Sequence, residues 1–182
     1  MKEHIERIGR ELVYKGSILD IYKDTMLAPN GKKEIWDFVS HRMGAACVLP
    51  VLEDGRLLLV RQYRPALDRE TLEVPAGCRD SVEEDPMLCA KRELEEETGV
   101  VSDNICRLLS LKSTVAFCNE QIEVFLARDL RQSQQMLDEM EDISVEIYTL
   151  EEVEKMIYEG RIQDAKTVAA VLAYSNLVHK EK

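Results

Sequence analysis

The chain has 182 residues, of which 45% are hydrophobic, and this is enough to bury one core with a small additional unit. Its formal net charge of -11 argues against non-specific binding to nucleic acid, because such binding depends on clustered lysines and arginines. Disulfides and structural zinc are disfavoured by five cysteines without a C-x-x-C pair. Since residues 1–13 lack the apolar core of a signal peptide and no apolar run is long enough to cross a membrane, we expect a cytoplasmic protein.

The N-terminal part of the chain predicts a small antiparallel β unit. Residues 12–28 are strand-like, the turn signal Pro29-Asn30-Gly31 follows them, and an extended pattern resumes over Glu34–Ser40. The pattern then changes to longer buried strands and helices. We therefore divide the chain into an N-terminal unit, residues 1–43, and a main domain, residues 44–182.

The main domain alternates predicted strands with predicted helices. The strands are Ala45–Leu52, Arg56–Gln62 after the turn Glu53-Asp54-Gly55, Thr71–Val74, Ile105–Lys112, Gln121–Ala127 and Ser144–Thr149. Helices are expected over residues 86–98, 150–158 and 164–178. Asp85 and Pro86 form a helix start and Gly99 a helix stop, which defines the first helix most clearly. This alternation predicts an α/β sandwich with a mixed sheet.

The end of the first predicted helix is unusually acidic. Glu93, Glu96 and Glu97 lie at positions i, i+3 and i+4, so their carboxylates share one helix face. Their mutual repulsion and their place near the helix C-terminus both oppose helix stability, and such conflicts mark sites more often than scaffold. Hard carboxylate oxygens are the ligands that Mg²⁺ or Mn²⁺ requires. The alternative is a solvated acidic face without a ligand.

The flanking residues favour a site. Met87, Ala90 and Leu94 form an apolar stripe that would fix the helix to the core. The stretch from Gly77 to Val100 resembles the signature of the Nudix hydrolases, G-x5-E-x7-R-E-U-x-E-E-x-G-U, in which U is aliphatic. The second half matches throughout, at Arg92, Glu93, Leu94, Glu96, Glu97, Gly99 and Val100. In the first half, six residues rather than five separate Gly77 from Glu84, which we interpret as a one-residue loop insertion.

This resemblance implies a Nudix-type α/β/α sandwich that hydrolyses a pyrophosphate linkage with the help of Mg²⁺ or Mn²⁺. The implied metal ligands are the Ala76 carbonyl, Glu93, Glu96, Glu97 and Glu141. Arg92 matches the arginine that braces the glutamates, and we assign it to the catalytic group together with Glu97.

The segment Arg61-Gln62-Tyr63-Arg64-Pro65 is similar to a strand of the ADP-ribose pyrophosphatase branch. The resemblance implies that Arg64 binds substrate phosphates, and Arg61 is a further candidate contact; an ordinary exposed arginine is the alternative for Arg64. ADP-ribose or a related nucleoside diphosphate sugar would give a nucleoside monophosphate and a sugar phosphate. Thr114 stands where that branch commonly has proline, so GDP-mannose and similar substrates remain open.

The general base is placed variably in this family. By resemblance, Glu139 in the acidic segment 138–142 would orient or deprotonate water, while Glu141 would join the metal ligands. An ordinary mobile acidic loop is the alternative, and Glu120 is a weaker candidate base.

The N-terminal unit is similar to a region that helps to form a homodimer and the neighbour's site, so we expect a homodimer. Trp36 is a candidate for stacking on a base, as is Phe38, although a core position is the favoured interpretation of Trp36. Competing functions are a nucleotide-binding sensor without activity, an acidic ion-binding or protein-binding module, and a Nudix enzyme of other selectivity. The intact glutamates of the Nudix signature, Glu93, Glu96 and Glu97, favour an enzyme over a sensor. We expect a small nucleotide sugar as its substrate, and neither nucleic acid nor a membrane as a partner.

Overall fold

The computed structural model describes residues 4–180, so residues 1–3 of the segment tested for a signal peptide lie outside the described range. The strands in this range are β1 (Glu6–Lys15), β2 (Leu19–Leu27), β3 (Lys33–His41), β4 (Ala45–Pro50), β5 (Leu57–Arg64), β6 (Arg69–Glu73), β7 (Ala76–Cys78), β8 (Val100–Val101), β9 (Asn104–Lys112), β10 (Gln121–Arg128), β11 (Arg131–Gln132) and β12 (Ile143–Tyr148). The helices are α1 (Pro86–Thr98), α2 (Leu150–Tyr158) and α3 (Ala165–Lys180). Within residues 4–180, no helix has the length and apolar character needed to span a membrane.

One compact unit contains β1, β2 and β3 together with residues 112–121. The three strands form an antiparallel sheet in that order. The strand-like stretch predicted over residues 12–28 is interrupted by a turn, because the Gly16 amide donates to the Leu19 carbonyl at 2.9 Å. A Cβ on residue 16 would lie 2.6 Å from that carbonyl oxygen, so the turn requires glycine. The predicted turn at Gly31 is confirmed, with φ of 85°.

The second unit, residues 45–111 and those from 122 onward, contains both helical layers and the remaining strands. In its mixed sheet β4 runs parallel to β10 and antiparallel to β7, and the strand order is β7-β4-β10-β9. A second sheet has the antiparallel order β12-β5-β6. The prediction of an α/β fold with a mixed sheet is therefore confirmed.

Side chains of β4 alternate between two cores. Cys47 and Leu49 belong to a core that also contains residues of α2 and α3, whereas Ala46 and Val48 belong to a core that contains residues of α1. Since successive strand residues point to opposite faces, both faces of the sheet are covered by helices. This layering positions α1 against one face of the sheet.

Two thiols are enclosed in these cores. Cys47 and Cys89 are fully buried, and burial raises the pKa of each thiol to about 12. Both therefore stay protonated and unreactive in the folded chain.

Candidate active site

Helix α1 has the boundaries that its sequence predicts. The Asp85 side chain accepts a hydrogen bond from the Met87 amide at 2.9 Å, and Gly99 ends the helix with φ of 67°. The residues that face the core are Cys89, Ala90 and Leu94, with Met87 packed against them. The apolar stripe is thus confirmed, and it fixes the orientation of the acidic face.

Two of the box glutamates are buried. Glu93 is 8% exposed and Glu97 is 3% exposed, whereas Glu96 is partly exposed. A merely solvated acidic face would leave such side chains in water. The solvated-face interpretation is therefore wrong for Glu93 and Glu97.

The backbone of β7 lies directly against these acids. The Ala76 amide donates a hydrogen bond of 3.0 Å to Oε2 of Glu97. At Gly77, an added Cβ would lie 2.1 Å from Oε1 of Glu93, so any larger residue would displace that carboxylate. The close approach of the Glu93 carboxylate explains why the first residue of the signature, Gly77, is a glycine.

Arg92 braces the acidic face, as its place in the signature implies. Its Nη1 donates to Glu93 at 2.7 Å and to Glu96 at 3.1 Å, while Nη2 donates to the Cys78 carbonyl at 3.1 Å. Glu84 lies 3.6 Å from Nε of Arg92. The loop with the extra residue thus still brings Glu84 next to Arg92.

The buried acids have strongly raised pKa values. Burial raises the pKa of Glu93 to about 7, although Arg92 opposes the shift, and Glu96 and Glu141 add to it. Burial raises the pKa of Glu97 to about 8, against the Ala76 hydrogen bond, and Glu93 and Glu141 add to it. A cation placed among these carboxylates would offset both the burial and the repulsion.

The donor set therefore suits a hard divalent ion in its chemistry, since it consists of carboxylates beside backbone carbonyls. Among residues 4–180, however, no three His, Cys, Asp or Glu side chains already converge into a metal-binding group. Arg92 instead lies between Glu93 and Glu96. The ligand set of Ala76, Glu93, Glu96, Glu97 and Glu141 remains a prediction.

The acidic segment 138–142 forms a local turn. The Asp138 amide donates to Oε2 of Glu141 at 3.0 Å, and the Glu141 amide donates to the Asp138 carbonyl at 2.9 Å. Glu141 lies near enough to raise the pKa of Glu93 and Glu97, whereas Glu139 is exposed and makes no ion pair among the described residues. The weaker base candidate, Glu120, pairs with His41 at 3.7 Å.

Arg64 is held by a buried acid that sequence analysis did not single out. Its Nε and Nη2 donate to Glu73 at 2.8 and 2.6 Å, and Lys166 also donates to Glu73. Burial alone would raise the pKa of Glu73, but Arg64, Lys166 and Thr71 together lower it to about 2. These side chains line a cavity of about 380 Å³, and the two hydrogen bonds to Glu73 orient an Arg64 side chain that is 38% exposed. The phosphate-binding role of Arg64 remains a prediction. The sequence does carry a signal for this acid, because Glu73 is a charged residue between the apolar Leu72 and Val74.

The other two predicted substrate contacts are placed differently. Arg61 and Arg64 lie three residues apart in β5, so their side chains point to opposite faces, and Arg61 donates to Glu146 at 2.5 and 3.0 Å. Trp36 is 44% exposed on β3 and lines a small cavity of about 180 Å³ in its own unit. The core interpretation of Trp36 is therefore wrong, and its substrate role and that of Arg61 remain predictions.

Comparison with known proteins places this site in context. The NUDIX domain family matches residues 41–171. An ADP-ribose pyrophosphatase of Bacillus subtilis is 36% identical over 166 residues, which cover 90% of this chain and 89% of that protein. A GDP-mannose pyrophosphatase of Yersinia enterocolitica is 30% identical over 190 residues, 97% of each chain. The crystal structure of an ADP compounds hydrolase has the same fold, with a TM-score of 0.85 over 98% of this chain and 96% of that one at 19% identity.

Proposed function

This chain belongs to the NUDIX family, and on that premise we propose that it hydrolyses the pyrophosphate bond of a nucleoside diphosphate sugar, with ADP-ribose as the first candidate substrate. The observation that carries the proposal is the buried Glu93 and Glu97, braced by Arg92 and lying against the backbone at Ala76 and Gly77. Water attacks one phosphorus of the pyrophosphate. The bond from that phosphorus to the bridging oxygen breaks, and the other phosphate leaves with that oxygen. The products are a nucleoside monophosphate and a sugar phosphate.

Nudix ADP-ribose pyrophosphatases depend on a divalent metal ion. We propose Mg²⁺ or Mn²⁺, held by Glu93, Glu96, Glu97 and Glu141 together with the Ala76 carbonyl. When bound, the ion would activate water and neutralise phosphate charge. The burial of Glu93 and Glu97 on one helix face supports this, since a nearby cation offsets the cost of burying two carboxylates.

The protein's own residues would divide the remaining tasks. Arg92 holds the carboxylates of Glu93 and Glu96, and the Ala76 amide holds that of Glu97. Glu139 is proposed to accept the proton of the attacking water, because it is an exposed carboxylate two residues from Glu141.

Arg64 is the proposed phosphate contact. Glu73 occupies Nε and Nη2 of its guanidinium, and no hydrogen bond joins Nη1 to any acceptor in residues 4–180. A phosphate oxygen can therefore be bound through Nη1 while Glu73 keeps the group oriented. Arg61 and Trp36 are proposed as further contacts, in the case of Trp36 through stacking of its exposed ring on a base.

We also propose a cytoplasmic homodimer. Many large apolar side chains of the first unit are exposed, namely Ile5, Ile8, Leu12, Val13, Tyr14, Ile18, Ile35 and Trp36. Exposed apolar surface on this scale is typical of a protein–protein interface. A second copy of the chain is the proposed partner.

The testing experiment is turnover of purified protein with Mg²⁺ or Mn²⁺ against ADP-ribose, GDP-mannose, UDP-glucose, NADH, a dinucleoside polyphosphate and a nucleoside triphosphate. Added phosphatase converts the released monoesters to inorganic phosphate, and EDTA provides the control for metal dependence. We expect rapid, EDTA-sensitive conversion of ADP-ribose to AMP and ribose phosphate. Preference for GDP-mannose, which the Yersinia relative makes the second candidate, would change the substrate and keep the reaction. Tight nucleotide binding without turnover would instead support a sensor.

A further inference from the structure

The start of α3 makes contacts that exceed what a helix needs. Both the amide and the hydroxyl of Thr167 donate to Oδ2 of Asp164, at 3.0 and 2.6 Å, and the Val168 amide donates to the Asp164 carbonyl at 3.0 Å. These bonds satisfy the first turn of the helix locally. Thr167 is nevertheless fully buried, so its side chain faces the interior of the unit.

The Thr167 hydroxyl has a second partner, 93 residues away in the chain. It accepts a hydrogen bond of 2.9 Å from the Val74 amide, and both groups are buried. The next residue, Pro75, has no amide hydrogen, and its carbonyl accepts a bond of 3.0 Å from the Val48 amide. The following amide, that of Ala76, donates to Glu97. Thr167 thus holds the backbone two residues before the amide that holds Glu97.

The residue before Thr167 acts on the same segment. Lys166 donates to Asp164 at 3.0 Å and also to Glu73, which in turn binds Arg64 through two hydrogen bonds. The first turn of α3 therefore fixes both the Glu73 side chain and the Val74 backbone. Only Pro75 separates Glu73 and Val74 from the Ala76–Gly77 backbone, against which the acidic face is packed.

We propose that Thr167 is a positioning residue for the hydrolysis. It holds the Val74–Ala76 backbone in place, and through the Ala76 amide it sets the position of the Glu97 carboxylate. The inference rests on the proposed function for its effect on turnover, but its effect on the Ala76 amide does not depend on any activity. Small displacements of catalytic groups are costly, since a shift of about 1 Å can lower a rate by about 100-fold.

The test compares Thr167→Val, which removes the hydroxyl at nearly constant volume, with Thr167→Ser, which keeps it. Thr149→Val is the matched control, because Thr149 caps α2 by accepting a hydrogen bond from the Glu152 amide at 3.2 Å. Thr149 has no proposed role in the active site. The measurements are kcat and KM for the best substrate, the melting temperature, and amide hydrogen exchange at Ala76 by NMR. Thr167→Ala replaces the valine variant if that one does not fold.

We expect Thr167→Val to lower kcat by at least about tenfold with little change in KM, and Thr167→Ser to restore it. Exchange at Ala76 should accelerate in Thr167→Val and stay unchanged in Thr149→Val, although both lower the melting temperature. A Thr167→Val protein with wild-type kcat and wild-type Ala76 exchange would overturn the inference and leave a purely structural cap. If the wild type turns over no substrate, the proposed function fails, while exchange at Ala76 still decides the positioning role.

Discussion

Glu97 and Glu95 lie two residues apart on α1 but have different surroundings. Glu97 is buried against the Ala76 amide, whereas Glu95 accepts a hydrogen bond from Ser133 at 2.5 Å outside the proposed ligand set. Glu97→Gln removes a charged oxygen donor from the proposed metal site while keeping its shape. We expect kcat with saturating Mg²⁺ to fall by two orders of magnitude or more, on the scale of losing a transition-state charge interaction.

Glu95→Gln is the matched control for that experiment, since it makes the same change on the same helix. We expect it to keep wild-type kcat. Circular dichroism and the melting temperature of both variants show whether the fold is intact. If Glu97→Gln retained wild-type turnover, its assignment to the metal would be wrong.

Gly77 supports a second prediction at this scale. Because a Cβ at this position would lie 2.1 Å from Oε1 of Glu93, Gly77→Ala must displace the carboxylate or the β7 backbone. We expect at least a tenfold loss of kcat, measured by steady-state kinetics. In Gly9→Ala the added Cβ would meet Thr25 at an ordinary 3.6 Å, so this control should leave kcat unchanged. Equal activity of both variants would contradict the close approach at Gly77.

At the residue scale, spacing along one helix was enough to predict the acidic face. Glu93 and Glu97 are four residues apart, so helical geometry alone places them together. Glu73 and Lys166 are 93 residues apart, and no local pattern relates them. Their pairing depends on how α3 packs beside β6, which is a tertiary property. The prediction of a core position for Trp36 was wrong for a similar reason, because the exposure of this side chain depends on what surrounds β3.

At the scale of elements, local chemistry predicted helix ends better than strand ends. Helix α1 begins after Asp85 and ends at Gly99, and the hydrogen bonds and backbone angles that set these ends belong to those two residues. The turn at Gly16 was missed because it separates two strand-like segments without the Asn-Gly or Asp-Gly signal of the later turns at Gly31 and Gly55. Short strands such as β8 and β11 were also missed, since pairing between distant segments, rather than pattern, defines them.

The ion pair between Glu73 of β6 and Lys166 of α3 predicts that the stability of the fold depends on pH. The folded pKa of Glu73 is about 2, below an unfolded value of about 4.3. Its ion pairs therefore stabilise the fold above pH 4.3, and this contribution is lost as the pH falls from there to 2. We expect Glu73→Gln to lower the free energy of unfolding at pH 7 by about 3 kcal/mol, and the difference from wild type to shrink as the pH falls.

Urea unfolding at pH 7, 5, 4 and 3 measures that difference. Glu34→Gln is the control, since Glu34 pairs with Lys32 on the exposed surface and its loss should change stability little at any pH. A Glu73→Gln penalty that stays constant down to pH 3 would show that the carboxylate's ionisation is not responsible.

At the scale of the whole molecule, we expect light scattering at micromolar concentration to give twice the chain mass of 20.9 kDa. Ile35→Lys should weaken the dimer, because Ile35 is 59% exposed in the apolar surface of the first unit. Tyr158→Lys is the control, since Tyr158 is 79% exposed on α2 in the other unit. A wild-type monomer, or equal masses for both variants, would count against the proposed interface.

The layered architecture could be predicted because buried strands and amphipathic helices alternate along the main domain. The order of strands within the sheets could not, since β4 pairs with β10 more than 70 residues later in the chain. The first unit also includes residues 112–121, which no composition change marks in the sequence. Long-range pairing thus accounts for most of what the sequence pattern left open.

The two buried thiols give the chain an internal reporter of breathing. Cys47 lies in the core on one face of the sheet and Cys89 in the core on the other, whereas Cys78 and Cys106 are exposed. An alkylating reagent would label the exposed pair at once and reach each buried thiol only when its own layer separates. Mass-resolved labelling over time would therefore show whether the two helical layers open together or one before the other.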